Sequence, residues 1–574
     1  MNNDDVTVNF VTSTDEIVAS QNIQAATSII DFHSNGHCLI IGDDIDAAMD
    51  AAAQLTELKC TVVSKDASID RIDKRLTEAG TAAFVVPDLS VIGYLGAFDA
   101  TVELDGQATS LGVSVYLESG LFDLVLDLNP QATLSVSLAP LGYYHAPTAE
   151  QLQVALIALP ELVGEFEKPK YFNYDVNICA HSRSELTGCN ACLNACATNA
   201  ISSDGEGIVV DPHLCQGCGS CSTVCPSGAI SYAYPKPADA IERTREMLQS
   251  GGQRVLLLHN EAQQTQIDAI GEQAGVLTLL VEEVSAFGMD YWASMLCAGV
   301  HHILLLIDDD MDELSLRALR SQTGVLHELL GAMGVVKPVV SFISSEKLVG
   351  SAKRSDSDKR KDSDKPIDTD KKYSIDPDQL QQSRLATLKV ANFAIQGNKR
   401  QTVRMALDTL SERLQPAKPV VNLSKGAPFG VIDVNKDNCT LCMACVSVCP
   451  AKALLDGQDT PALRMIEANC LQCGLCEAAC PESAISLNAQ YTFDSIEARK
   501  ISTLNEEEPF NCIRCYKPFA TKKIIQSMFS KLEGHWMFKD DVAKRRLKMC
   551  DDCRVKDIFE QDAKGIDVHK NDNV

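Results

Sequence analysis

The sequence predicts a multidomain protein of mixed α/β and α+β class, and three observations support this prediction. The chain has 574 residues, 45% of them hydrophobic, which is enough for several domains that each bury a core. Apolar runs of strand length alternate with Ala-rich helical stretches in two regions. Twenty of the 23 cysteines fall in three tight groups, which divide the chain into units of different composition.

The first predicted α/β domain comprises residues 1–165. Strands are indicated at Cys38–Ile41, Thr61–Val63 and Ala83–Val86, and the Ala-rich segment Asp46–Leu58 is typical of a helix. The turn after the first strand is Gly42-Asp43-Asp44-Ile45-Asp46-Ala47, which carries Asp44 where a dinucleotide fingerprint has its second glycine. A carboxylate there repels a pyrophosphate at the helix N-terminus, so we predict a degenerate Rossmann-like domain that has lost its ligand.

A second, small α/β domain is predicted at residues 239–347. Four apolar runs, at Arg254–Leu258, Val276–Val281, Ile303–Ile307 and Val339–Phe342, read as strands with helices between them, which favours a small parallel sheet. The following residues, 348–376, are mostly Lys, Arg, Asp and Ser and predict a charged disordered linker. A helical connector is predicted at 377–425, with helix over 378–414.

Charge and cysteine content narrow the class of function. A formal net charge of −27 repels nucleic acid and anionic lipid, so neither is an expected partner. No apolar run approaches the roughly 18 residues of a membrane-spanning helix, and the first residues lack a signal-peptide pattern, so we expect a cytoplasmic protein without membrane insertion. Cysteines in that reducing compartment indicate metal binding rather than disulfides. The scattered Cys38, Cys60 and Cys297 are interpreted as small buried apolar residues.

The second cysteine group, at residues 426–492, consists of two identical runs: Cys439-x2-Cys442-x2-Cys445-x3-Cys449-Pro450 and Cys470-x2-Cys473-x2-Cys476-x3-Cys480-Pro481. Three closely spaced thiolates can bind three corners of one cubane cluster. A zinc site would leave the third cysteine of each triplet without a role. The spacing therefore predicts 4Fe-4S clusters.

The first cysteine group, at residues 166–238, repeats this theme less regularly: Cys179-x9-Cys189-x2-Cys192-x3-Cys196 and Cys215-x2-Cys218-x2-Cys221-x3-Cys225-Pro226. Ala197 stands where proline is usual, and Cys179 lies ten residues before Cys189 rather than three. Cys179 can complete a cubane if the inserted loop folds back. A three-iron cluster or a non-cysteine ligand remains the alternative at this position.

Both groups resemble the bacterial two-cluster ferredoxin, and we name residues 166–238 the first module and 426–492 the second module. In that family the fourth cysteine of each run binds the other cluster. The resemblance therefore implies four clusters, held by Cys215, Cys218, Cys221 and Cys196; by Cys179, Cys189, Cys192 and Cys225; by Cys470, Cys473, Cys476 and Cys449; and by Cys439, Cys442, Cys445 and Cys480. A repeated Cys-x3-Ala-aliphatic pattern, as at Cys449-x3-Ala453-Leu454, further indicates duplication.

The third cysteine group, at residues 493–574, predicts a C-terminal metal domain. Cys512-x2-Cys515 and Cys550-x2-Cys553 supply four sulfur ligands, which suit one structural zinc or, alternatively, a single iron. Between them, Lys522–Leu532 has the pattern of an amphipathic helix, and the basic run Lys544-Arg545-Arg546 follows. The domain is interpreted either as a clasp that stabilises the fold or as a docking surface for an acidic partner.

Taken together, the parts resemble the large four-cluster ferredoxin-type proteins of bacterial formate dehydrogenase systems. The segments that carry this resemblance are 122–128, 179–184 with Gly188-Cys189, 517–521 and 547–555. The resemblance implies a redox protein as partner, with formate dehydrogenase the named candidate. Residues 282–290 and 298–300 are similar to the small electron-delivery subunit of hydrogenases and heterodisulfide reductase, without the cysteines that hold its cluster.

The predicted function is electron transfer, with two ferredoxin heads joined by a tether. No motif for hydrolysis or phosphoryl transfer occurs, so no substrate chemistry is assigned to the chain itself. Two alternatives stay open: an oxidoreductase subunit whose α/β domains bind flavin or nicotinamide, and a maturation or scaffold protein that hands on iron–sulfur clusters. The oligomeric state is not indicated.

Overall fold

A computed structural model describes residues 28–562 with gaps. The gaps are 67–72, 77–81, 105–106, 116, 250–254, 271–275, 309–310, 345–384 and 459, together with individual positions within 386–397 and 533–539. The predicted charged linker at 348–376 therefore lies outside the described residues. In the described part of the chain, no helix is both long and apolar enough to cross a membrane.

The N-terminal region is built on a mostly parallel sheet. Its strands are β1 (Ile29–Ser34), β2 (His37–Ile41), β3 (Lys59–Lys65), β4 (Asp73–Leu76), β5 (Ala82–Val86), β6 (Ser90–Ile92), β7 (Asp99–Leu104), β8 (Gln107–Ser110), β9 (Leu124–Asp127), β10 (Tyr143–His145) and β11 (Gly164–Pro169), and its helices are α1 (Ile45–Gln54), α2 (Leu111–Ser114) and α3 (Ala149–Ala158). Six of these strands form the sheet, in the order β10-β9-β2-β3-β5-β4. All neighbouring strands in it are parallel except β4, which is antiparallel to β5. The α/β prediction is confirmed for this sheet.

Apolar side chains cover both faces of that sheet, as its continuous apolar strands require. Cys38 and Ile40 belong to one buried cluster, while Leu39 and Ile41 belong to another on the opposite face. Cys38 is fully buried, as its interpretation as a small buried apolar residue predicts, whereas Cys60 of β3, its partner in register, is only half-buried. Two smaller antiparallel arrangements, β1 with β11 and β6-β7-β8, flank the sheet.

The first module consists of short paired strands and two one-turn helices. They are β12 (Phe172–Tyr174), β13 (Ser182–Arg183), β14 (Leu186–Thr187), α4 (Ala191–Ala195), β15 (Ile201–Ser203), β16 (Ile208–Val210), α5 (Ser220–Val224) and β17 (Ile230–Tyr232). β12 pairs with β17 and β15 with β16, both antiparallel.

The next region contains the predicted small parallel sheet. Its elements are α6 (Pro237–Gln249), β18 (Val255–His259), α7 (Gln264–Ile270), β19 (Val276–Leu280), α8 (Met289–Cys297), β20 (His302–Ile307), α9 (Glu313–Ala332) and β21 (Val340–Ser344). The order β19-β18-β20-β21 is parallel throughout, so this prediction is confirmed.

The second module repeats the architecture of the first and is preceded by a long helix. The elements are α10 (Lys399–Leu414), β22 (Val420–Asn422), β23 (Gly430–Val434), α11 (Ala444–Ser447), β24 (Leu454–Asp456), β25 (Ala462–Met465), α12 (Leu475–Ala478), β26 (Ile485–Thr492), α13 (Ser495–Arg499) and β27 (Ser502–Glu506). The helix predicted over 378–414 is too long, because α10 begins at Lys399 and the described residues of 385–397 belong to no α-helix. Asn398 is the N-cap of α10, and its side chain accepts a hydrogen bond from the Gln401 backbone N–H.

The C-terminal region is a hairpin followed by three helices. The elements are β28 (Pro509–Asn511), β29 (Pro518–Thr521), α14 (Lys522–Leu532), α15 (Asp541–Arg546) and α16 (Asp551–Asp562). The bounds of α14 are those predicted from its amphipathic pattern.

One buried core joins the small parallel sheet to the second module. It runs from Tyr232 through Trp292 to Leu407 and Tyr491. Within it α8 packs against α10, where the Cys297 thiol donates to the Ala406 carbonyl at 3.4 Å from Sγ to O. The predicted picture of separate ferredoxin heads on a tether is therefore wrong for the described residues, since the parts on either side of the linker share a core.

Candidate iron–sulfur centres and metal site

Twelve of the sixteen cysteines of the two modules line three cavities, four to each, and we number the four sets that the ferredoxin resemblance implies as sites 1 to 4. Site 1 is Cys196, Cys215, Cys218 and Cys221; site 2 is Cys179, Cys189, Cys192 and Cys225; site 3 is Cys449, Cys470, Cys473 and Cys476; site 4 is Cys439, Cys442, Cys445 and Cys480. The four cysteines of each of sites 2, 3 and 4 line one cavity. Each cavity thus takes three cysteines of one run and one of the other, which is the reciprocal arrangement that the resemblance to ferredoxins implies.

Left-handed backbone wraps the ligand loops of the second module around their cavities. Leu441, Met443 and Gln472 have φ of 57°, 63° and 55°, although none is glycine. Such conformations are costly for residues with a Cβ and persist where the surroundings demand them, often at ligand clamps. The turns bring successive cysteines of a run to the same cavity.

The repeated alanine four residues after each last cysteine has a local explanation. The Ala453 backbone N–H donates to Cys449 Sγ (N to S 3.3 Å), and the Ala484 N–H donates in the same way to Cys480 Sγ (3.2 Å). Both alanines are buried, at 2% and 3% exposure, so a larger side chain would not fit there.

The irregular first corner of the first module is closed by a small hairpin. β13 and β14 pair at Ser182 with Thr187, within the nine residues that separate Cys179 from Cys189. At its base the Gly188 N–H donates to the His181 carbonyl (2.6 Å) and the Cys189 N–H to the Ala180 carbonyl (2.8 Å). The loop therefore folds back, and Cys179 and Cys189 line the same cavity.

His181 supports this corner from inside the protein. It is 4% exposed, and its Nδ1 lies 3.0 Å from the Cys189 carbonyl while its Nε2 lies 2.8 Å from Ser203 Oγ. His213 is partly buried and stacks on Tyr94 with ring centroids 4.5 Å apart.

The electrostatics of these sets fit a cationic cluster. Burial, followed by the charges of Cys218, Cys215 and Cys196, raises the pKa of Cys221 well above its usual value. In site 4, burial and then the neighbouring cysteines raise the pKa of Cys445 to about 12. Four buried thiolates repel one another, so ionisation of a whole set needs compensating cations such as iron.

The two modules touch at sites 2 and 3. A Cβ added at Gly188 would lie 2.6 Å from Leu475 Cγ and 3.1 Å from the Cys473 carbonyl oxygen. Cys189 is also near enough to contribute, after burial, to raising the pKa of Cys473 to about 11. Cysteines of adjacent sites are similarly near within each module: Cys192 with Cys221, and Cys445 with Cys476.

Sites 1 to 4 follow one another as a series, and solvent reaches site 4 more than site 1. All sixteen cysteines lie in the described ranges, and among them Cys442 of site 4 is the exposed one. Site 1, at the other end, is covered by the small parallel-sheet region: Ser285 Oγ donates to the Cys218 carbonyl (2.6 Å), and Thr223 Oγ1 donates to the Ser285 carbonyl (2.7 Å).

The C-terminal cysteines form a compact set of four sulfurs. Cys512, Cys515, Cys550 and Cys553 have their Sγ atoms within 4.8 Å of one another, and Cys515 Sγ lies 3.6 Å from Cys550 Sγ. A tetrahedral zinc with Zn–S bonds of about 2.3 Å needs sulfurs about 3.8 Å apart, so the set fits such an ion. Burial disfavours the Cys512 thiolate, but backbone N–H groups outweigh it and lower the pKa of Cys512 to about 6.

The basic run Lys544-Arg545-Arg546, which precedes Cys550, forms ion pairs within the C-terminal domain. Arg545 and Arg546 both bind the Asp557 carboxylate, at 2.8 and 2.9 Å, and Arg546 is buried. Contacts also tie this domain to site 4: Thr521 Oγ1 donates to the Thr440 carbonyl at 3.4 Å, beside Cys439.

Two residues that support the candidate sites were not predicted from the sequence. Lys399 and Arg400, at the start of α10, donate to backbone carbonyls in the ligand loops of the first and second modules respectively. Two adjacent basic residues at the start of a helix give no sequence signal of this role, because their partners are distant in the chain.

Comparison with known proteins agrees with this geometry. Residues 187–229 match a 4Fe-4S dicluster domain family, and residues 438–485 match a second 4Fe-4S dicluster domain family. Both modules are 4Fe-4S dicluster ferredoxin domains. Iron–sulfur electron transfer is the function that such domains support.

Two curated relatives share similar segments. "Hydrogenase-4 component A" of Escherichia coli is 45% identical over 49 residues, which are 8% of this chain and 24% of the relative. "Indolepyruvate oxidoreductase subunit IorA" of Pyrococcus horikoshii is 45% identical over 59 residues, which are 10% of this chain and 8% of the relative. The chain thus matches less than a quarter of the length of either redox-enzyme subunit.

Proposed function

We propose that the chain carries four 4Fe-4S clusters, one in each of sites 1 to 4, and passes electrons between redox proteins. The observation that carries this proposal is the reciprocal gathering of cysteines, three from one run and one from the other, around the cavities of sites 2, 3 and 4. When bound, such clusters accept and donate single electrons. The protein's part is to hold the thiolates, exclude water and set the distance between sites.

Cys179 is proposed as a full ligand of site 2. The hairpin of β13 and β14 brings it to the cavity that Cys189, Cys192 and Cys225 also line, which favours a four-iron cluster over the three-iron alternative. The ligand assignment predicts four iron atoms there rather than three.

The C-terminal cysteines are proposed to hold one zinc ion, in a domain that acts as a clasp on the second module. Salt bridges and hydrogen bonds join the two: Lys531 binds Glu482 at 2.6 Å, and Lys523 donates to the Lys436 carbonyl at 2.6 Å. Because Arg545 and Arg546 are occupied by Asp557, the basic run offers less charge to an acidic partner than its sequence indicates.

The partner is proposed to be another redox protein that docks near Cys442, the exposed end of the series. Formate dehydrogenase is the candidate that the sequence resemblance names, and the two curated relatives are subunits of redox enzymes. The reduced cysteines that this role requires favour the cytoplasm as its location.

An internal detail weighs against the oxidoreductase alternative. At the degenerate fingerprint, the Asp44 carboxylate itself accepts hydrogen bonds from the Asp46 and Ala47 N–H groups, at 3.0 and 3.2 Å. These helix N-terminal donors are the ones a pyrophosphate would use. Electron transfer without nucleotide is therefore the function proposed here.

Metal and sulfide content of the anaerobically purified full chain tests the proposal. Four cubanes predict about 16 iron and 16 acid-labile sulfide per chain, with one zinc, and the dithionite-reduced protein should give EPR signals of reduced 4Fe-4S clusters. Colourless protein with zinc and little sulfide would contradict it. Reduction by formate in the presence of formate dehydrogenase, absent without that enzyme, tests the partner; no reduction with the enzyme present would exclude it.

A further inference from the structure

The contact between the two modules depends on the absence of a side chain at Gly188. This residue immediately precedes Cys189 of site 2, and a Cβ there would meet Leu475 Cγ at 2.6 Å, the Ala180 carbonyl oxygen of its own hairpin at 2.8 Å and the Cys473 carbonyl oxygen at 3.1 Å. Gly188 is not in the left-handed region, so the reason for glycine is space and not backbone conformation. Leu475 is fully buried at this contact.

The contact lies between two candidate cluster sites. Cys189 lines the cavity of site 2, and Cys473 and Leu475 line the cavity of site 3. We name the contact of Gly188 and Cys189 with Cys473 and Leu475 the junction. It brings site 2 of the first module against site 3 of the second.

Lys399 and Arg400 each bind the backbone of one of the two modules that meet at this junction. Lys399 Nζ donates to the Ser222 carbonyl at 2.6 Å and to the Thr223 carbonyl, both in α5 between Cys221 and Cys225. Arg400 Nη2 donates to the Cys470 carbonyl at 2.6 Å and the Ala468 carbonyl at 3.3 Å.

The two cations are built into the protein rather than placed on its surface. Arg400 is 8% exposed and its guanidinium lies over the Phe429 ring, 4.4 Å from the centroid. The backbone at Lys399 packs on Gly228, where an added Cβ would lie 3.2 Å from the Lys399 nitrogen. Because the two residues are adjacent on α10, neither ligand loop can shift far without disturbing the other.

We propose that the junction is a fixed interface that makes the two modules one unit, with Lys399 and Arg400 as its positioning residues. This inference rests on the proposed function. Clusters bound in sites 2 and 3 would exchange a single electron across the junction, one being oxidised as the other is reduced, with no bond made or broken. The two positive charges also favour the reduced state of the clusters beside them, which raises reduction potential.

The first test is Gly188→Val in the full holoprotein, with Gly324→Val as matched control, because a Cβ at Gly324 in α9 meets nothing within 4 Å. We expect Gly188→Val to keep its iron and sulfide but to lose the spin–spin broadening between sites 2 and 3 in the fully reduced EPR spectrum. The control should keep both. Full iron content with unchanged broadening and relaxation in Gly188→Val would overturn the proposal.

A second variant keeps the proposal testable if Gly188→Val loses its clusters. Lys399→Met should lower the potential of the first module in an EPR-monitored redox titration and weaken the interaction between the modules, while Lys399→Arg should restore the potential. If potential and interaction are both unchanged, Lys399 is not a positioning residue and the inference fails. Wild-type protein without iron would instead refute the proposed function itself.

Discussion

At the scale of single residues, small side chains and backbone N–H groups shape each candidate site. Ala453 and Ala484 donate to a cysteine sulfur and are too buried for larger side chains, and Gly188 permits the contact between modules. His181 holds the backbone of a ligand cysteine from within the protein. Each of these residues acts on a cysteine without being a ligand.

Cys179→Ser tests the least regular ligand. Loss of this thiolate should remove or convert the cluster of site 2 alone, so that iron falls from about 16 to between 12 and 15 per chain. Iron and sulfide analysis with EPR measures this. Cys60→Ser is the control, since Cys60 lies in β3 away from the candidate sites, and it should keep all the iron. Unchanged iron in Cys179→Ser would contradict the assignment.

The raised pKa of Glu283 predicts that the free energy of unfolding depends on pH. Burial, then the charges of Glu282, Asp308 and Asp312, raise its pKa from 4.5 to about 7. Between these values the folded state keeps a proton that the unfolded state has released, so the contribution of Glu283 to stability is complete below pH 4.5 and is lost as pH rises through 7.

Glu283→Gln should therefore stabilise the protein at pH 8 by about 1 to 3 kcal/mol and change little at pH 4.5, after allowance for partial solvent exposure. The measurement is the apparent unfolding temperature of variant and wild type across this range. Glu161→Gln, an exposed carboxyl, serves as control and should have a small effect throughout. A gain that is equal at both pH values would refute the role of Glu283.

At the scale of elements, helices connect parts that are distant in the chain. α10 packs on α8 of the small parallel-sheet region and, through its first residues, reaches ligand loops of both modules. In the C-terminal domain, α15 and α16 are joined by the ion pairs of Asp557 with Arg545 and Arg546. Buried polar contacts of this kind fix where an element lies.

Asp557→Asn should destabilise the C-terminal domain by about 3 to 5 kcal/mol, because it removes the carboxylate charge that the buried Arg546 binds. Urea unfolding of the variant and of the wild type would report this. Glu313→Gln is a matched control: its pair with Arg317 is exposed at 82% and 67%, and such pairs are worth about 0 to 1 kcal/mol. Equal effects of the two substitutions would show that the Asp557 pair is not a buried structural contact.

At the scale of the whole molecule, the described residues place the two modules against each other, with the parallel-sheet region over site 1 and the C-terminal domain beside site 4. The series of sites therefore has a covered end and an end at Cys442 that solvent reaches. A partner that exchanges electrons with site 4 meets a strongly acidic protein, with net charge −27.

That charge predicts how the rate of reduction depends on salt. A cationic viologen radical should reduce the protein fast at low ionic strength and several-fold more slowly at about 0.2 M salt, because screening weakens the attraction. The radical anion of dithionite should show the opposite trend. Stopped-flow absorbance measures both rates, and rates that do not respond to salt would show that net charge does not steer the encounter.

The sequence by itself determined the features that depend on near neighbours in the chain. Cysteine spacing predicted the sets of ligands, apolar runs predicted the parallel strands around Leu39 and Leu304, and an amphipathic pattern predicted α14 from Lys522 to Leu532. These features depend on residues a few positions apart, so their period and spacing are visible in one dimension.

Tertiary structure alone decided how the parts meet. Gly188 touches Leu475, Lys399 reaches Ser222, and His181 is buried against Ser203, none of which spacing can reveal. The long helix predicted from residue 378 begins at Lys399, because the chain before it packs irregularly against α8, where the Ala391 N–H donates to the Cys297 carbonyl. Burial and hydrogen bonding between distant segments depend on which surfaces are brought together, and that is settled only when the whole chain folds.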